Sequence, residues 1–128
     1  MTYARPVILL TLAFAGMVAL IALEILQGAF GEDAAGMVTP LAIVFSVFSL
    51  PILLLTLFSG RWAIWLAFGI AVLMTLFHAM HIAEHGMAGD IGIALLIAVT
   101  MFTPSLAAVA LLWSTRQRAT SAELVATG

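Results

Sequence analysis

Four stretches of this chain are long and apolar enough to cross a bilayer, and little but short polar turns lies between them. A crossing helix needs about 20 mainly apolar residues, because the hydrocarbon core is about 30 Å thick and a helix rises about 1.5 Å per residue. The stretches run over 6–26, 37–58, 62–83 and 91–113. Hydrophobic residues make up 65% of the 128-residue chain and charged residues 8%. A soluble domain carries about 25% charged residues, and no soluble fold of this size can bury so much apolar surface. The predicted fold is an all-α membrane protein, a four-transmembrane-helix bundle over 1–113. The tail 114–128 is polar and rich in small residues, and reads as disordered. The first apolar run is longer than a secretory h-region of about 7–15 residues, so it reads as an uncleaved span.

Charge gives the bundle a direction. The positive charges are four arginines: Arg5 before the first span, Arg61 between the second and third, and Arg116 and Arg118 after the fourth. In a four-span chain these places share one side, and the positive-inside rule makes that side cytoplasmic. Both termini are then predicted to be cytoplasmic, in a bacterial inner membrane. Glu24, Glu32, Asp33, Glu84, Asp90 and all three histidines fall on the other side. Trp62, Trp65 and Trp113 stand where an inner aromatic belt belongs.

Composition also excludes chemistry. There is no cysteine, so disulfides and thiolate metal sites are ruled out. There is no lysine, so no Schiff base forms. The net charge of −2 and the lack of a basic patch rule out nucleic acid as a partner. No phosphate-binding glycine loop and no nucleophile motif occurs, so no catalytic residue is assigned. A binding, transport or accessory role is expected rather than an independent enzyme.

Pro51 and Pro104 fall inside spans and free a carbonyl four residues earlier. Ser49, Thr100 and Thr103 are placed to bond the freed groups. Ala15, Ala19, Gly69, Ala94 and Ala98 are candidates for close helix approach. Spans one and three each end in a glutamate, Glu24 and Glu84, followed closely by glycine.

The chemistry-bearing residues concentrate at the end of span three. With His78 at 0°, His81 lies near 300°, His85 near 340° and Met74 near 320°, at about 100° per residue. One helix face thus carries Met74, His78, His81 and His85, with Glu84 to one side. Glu24 sits at a similar depth on span one and meets this stripe if the two helices are neighbours. Imidazole suits copper, zinc and iron, and thioether selects reduced copper. The predicted metal ligands are His78, His81, His85, Glu84, Glu24 and Met74, with Met80, Met87 and Met101 as further sulfur donors. Copper is the first expectation, then zinc or iron. Haem is disfavoured, because bis-histidine ligation within one bundle needs histidines on two helices. The ordinary alternative is a polar helix end at the membrane surface.

Three roles follow. The first is a small membrane protein with a transition-metal site at its periplasmic edge, in metal handling or as a metal-binding subunit of a membrane enzyme. The second is a structural accessory subunit of a larger membrane complex. The third is a cation-coupled transporter using Glu24 and His78. The bilayer is the primary partner, and a homo-oligomer or a larger complex is expected; the transporter in particular needs to oligomerise, because four helices enclose little volume.

Overall fold

The structure is a computed structural model and describes residues 3–29 and 31–127, apart from the side chains of residues 32–34 and 119. Three long helices come first: α1 (Ala4–Leu26), α2 (Val38–Leu57) and α3 (Arg61–Met87). The last rod is α4 (Ile91–Ile97), a π-helical turn (Ala98–Phe102) and α5 (Thr103–Thr127). A 3₁₀ segment, Gly31–Met37, leads into α2. Each of the four rods is long and apolar enough to cross a membrane.

The helices pack in a ring. α1 touches α2, α2 touches α3, α3 touches the last rod, and the last rod returns to α1. α1 and α3 therefore take opposite corners and are not neighbours along their length. Alanines close the seams: Ala13, Ala63, Ala67, Ala71 and Ala108 are fully buried. Small side chains let helices approach closely where lipid supplies no hydrophobic drive to hold them together. Of the small residues expected to do this, Ala94 is buried, whereas Ala15, Ala19 and Gly69 face outward and Ala98 is half-buried. A helix that is apolar all round carries no periodic mark of its inner face. The outer faces are apolar too, with Leu12, Leu73 and Val99 more than half exposed. That surface suits lipid contact.

The prolines are accommodated differently from the expectation. Pro51 is buried inside an unbroken α2. The Ser49 hydroxyl donates to the Ser46 carbonyl at 2.8 Å, not to Val47, whose partner Pro51 removes. Pro104 follows the π-helical turn. Thr100 donates to Leu96 and Thr103 to Ala98, both at 2.7 Å, so neither satisfies the Thr100 carbonyl that Pro104 frees. Side-chain hydroxyls in membrane helices prefer carbonyls of their own preceding turn. The widened turn places Thr100 and Met101 against Gly16 of α1, where an added Cβ would stand 3.3 Å from Met101 Cγ.

The tail also departs from the sequence reading. α5 continues as helix to Thr127 instead of becoming disordered after residue 113; Gly128 lies outside the described residues. Contacts at the arginine end explain this. The Arg116 guanidinium lies over Trp65 at 3.5 Å and over Trp113 at 4.4 Å. Arg61 Nη1 donates to Glu123 Oε2 at 2.7 Å. These contacts bind the start of α3 to the end of α5 and put Arg61 and Arg116 at the same end of the bundle.

Candidate functional site

The opposite end of the bundle is built by two matching helix stops. Gly28 and Gly89 adopt φ of 73° and 87°, a left-handed conformation open to glycine because it has no Cβ. After α1, Gly28 N–H donates to Ile25 and Ala29 N–H to Glu24. After α3, Gly89 N–H donates to Gly86 and Asp90 N–H to His85. Both are Schellman caps, which satisfy the last carbonyls of a helix. Glu24 and His85 therefore hold the same position relative to their caps. The sequence pattern of glutamate before glycine paired Glu24 with Glu84; the structure pairs it with His85.

This register extends inward. Glu24, Leu20 and Met17 stand four, eight and eleven residues before Gly28. His85, His81 and His78 stand four, eight and eleven residues before Gly89. The helices run in the same direction, so the pairs share levels: Glu24 with His85, Leu20 with His81, Met17 with His78. All six line one cavity of about 270 Å³. Met37 lines it from the end of the 3₁₀ segment and Met101 from the π-helical turn. α1 and α3 thus meet across this cavity although they occupy opposite corners.

At the mouth, His85 Nε2 is 3.9 Å from Glu24 Oε1 and His85 Nδ1 is 3.7 Å from Asp90 Oδ2. These distances exceed a direct hydrogen bond but lie within ion-pair range. His85 and Glu24 are each about one-quarter exposed, at 22% and 24% of their side chains. One level down, His81 Nδ1 donates to the Phe77 carbonyl at 2.9 Å. A carbonyl only accepts, so Nδ1 holds the proton and Nε2 of the neutral ring keeps its lone pair. Such a hydrogen bond is what orients a metal-ligating imidazole. The Phe77 ring packs on His81 with centroids 4.3 Å apart.

Deepest is His78, 1% exposed, with Nε2 buried and without a hydrogen-bond partner. A buried polar atom left unpaired costs about 1–3 kcal/mol. The walls around it are largely apolar, with Met17 2% and Met101 3% exposed.

The sequence-predicted residues divide cleanly. His78, His81, His85 and Glu24 line the cavity together. Glu84 is exposed and is not on its wall, and Met74 is fully buried in the packed core below His78. Met80 and Met87 are exposed. The side chains of Glu32 and Asp33 lie outside the described residues. Met17 and Met37 escaped the sequence reading, although the equal spacing of Met17 and His78 from their glycines was a signal for the first. Among the described residues, no three histidine, aspartate or glutamate side chains are grouped so as to hold a metal ion. The cause is axial spread: His78 and His85 are about 10 Å apart along α3, at about 1.5 Å per residue.

No family model matches the chain, and no curated protein and no solved structure is detectably similar to it. The fold defines a class, the four-helix membrane protein.

Proposed function

We propose that this chain is an integral protein of a bacterial inner membrane that binds a transition-metal ion, copper first and then zinc or iron, in its end cavity. It serves metal handling, or supplies a metal-binding subunit to a larger membrane enzyme. The observation that carries this reading is the convergence of His78, His81, His85 and Glu24 on one cavity in a chain with no other histidine. Histidines within a membrane span are costly and mark function by default. His81 offers a free Nε2, and His85 and Glu24 flank the entrance. Unanimous placement of the arginines supports an orientation with this cavity on the periplasmic side.

The test is elemental analysis of protein purified in mild detergent without a histidine tag. About one ion per chain is expected, reduced strongly in His78→Ala. A metal-free wild type, even after reconstitution with copper, zinc and iron, would sink the reading.

A second reading rests on Glu24 and His78 lining the same cavity. Two protonatable groups on one path suit a cation-coupled carrier. Proton-coupled flux in liposomes, eliminated by Glu24→Gln, supports it; unchanged flux excludes it.

A further inference from the structure

The cavity has two chemically different levels. Its mouth holds Glu24, His81 and His85, a polar set that water can reach. Its floor holds His78, Met17 and Met101, and none of the three is more than 3% exposed. These come from three different rods: α3, α1 and the π-helical turn. Met17 and His78 stand at the same level, eleven residues before equivalent cap glycines. Met101 stands at that level too, because it packs against Gly16, the neighbour of Met17.

We propose that the floor of the cavity is a cuprous-ion site formed by His78 Nε2 and the thioethers of Met17 and Met101. This deepens the metal reading above and rests on it, by assigning the oxidation state and the inner ligands. Three arguments converge. His78 Nε2 is buried and unpartnered, so a bound ion would give it the partner it lacks. Thioether is a soft donor that selects Cu(I) over zinc and over hard oxygen-seeking cations. All three donors are uncharged, and the nearest carboxylate on the cavity wall, Glu24, is two helical turns away, about 10 Å at 1.5 Å per residue. Desolvating a charge in an apolar interior grows with its square, so a monovalent ion costs about a quarter of what a divalent one does. Methionine side chains have three rotatable bonds and adjust to an ion without backbone movement. The mouth then acts as the point of entry, and the floor as the place where reduced copper is retained.

The experiment uses the full-length protein in detergent under reducing conditions, with Cu(I) held by a competing chelator and Ag(I) as its redox-inert counterpart. Met17→Leu and Met101→Leu preserve apolar volume and leave the packing intact. Each is expected to weaken Cu(I) and Ag(I) binding at least about tenfold, or about 1.4 kcal/mol, and the double variant to abolish it. X-ray absorption of the wild-type Cu(I) protein, which needs no variant, is expected to show sulfur and nitrogen neighbours together. Cu(I) binding at full strength in the double variant, or a copper shell without sulfur, overturns the proposal. Zinc or Cu(II) bound through His81, His85 and Glu24 alongside that result would leave the broader metal reading standing. A wild type that binds none of these ions overturns both.

Discussion

His78 combines two opposed physical demands. It is one of the most deeply buried side chains in the bundle, and its Nε2 makes no hydrogen bond. Replacing it by leucine removes the unsatisfied atom and keeps apolar bulk. His78→Leu is therefore expected to raise the thermal stability of metal-free protein in detergent by about 1 kcal/mol or more, while lowering metal binding. A drop in both would show that the ring is simply a packed core residue. His81 and His85 differ from it in being half-buried and already engaged, by the Phe77 carbonyl and by two carboxylates. The helical stripe of histidines was legible from spacing alone, because it depends only on the 100° turn of an α-helix. The division of labour along that stripe was not, because it depends on what stands opposite each ring.

At the scale of elements, the two Schellman caps set the levels of α1 and α3 at the cavity. Gly28 and Gly89 both require positive φ, where a Cβ costs about 1–2 kcal/mol. Gly28→Ala and Gly89→Ala are each expected to lower stability by about 1 kcal/mol, measured by thermal unfolding in detergent. Gly36→Ala provides the control, since a Cβ there meets nothing and φ is not positive. Equal losses at all three positions would remove the special role of the caps. The π-helical turn before Pro104 has a comparable effect, setting Met101 against α1. Proline in a helix was readable as a disturbance from sequence. Its outcome, an unbroken α2 around Pro51 but a widened turn before Pro104, was decided by neighbours: the turn lies against Gly16, where there is room for it.

Over the whole molecule, polarity is segregated: Arg61 and Arg116 cluster with Trp65 and Trp113 at one end, and the histidines and Glu24 converge at the other. The contact of Arg116 with two indoles is worth more than the exposed Arg61–Glu123 pair, because a half-buried cation over aromatic faces is less screened than an ion pair in water. Arg116→Ala is expected to destabilise by about 1–2 kcal/mol and Glu123→Ala by less than about 1 kcal/mol, compared by thermal unfolding. The absence of native cysteine makes topology directly measurable. A single cysteine at Ala88 is expected to react with an impermeant maleimide on intact spheroplasts, and one at Ser121 only after lysis. The reverse pattern would place the cavity on the cytoplasmic side. By itself the sequence determined that this is a membrane bundle of four helices with its histidines on one face at one end, because span length and helical periodicity are local properties of the chain. Only the tertiary structure decided that α5 stays helical past the last span, that Glu24 faces His85 and not Glu84, and that Met17 and Met101 join His78 while Met74 does not. Those are contacts between residues far apart in the chain, and apolar helices of uniform composition carry no local signal of which face turns inward.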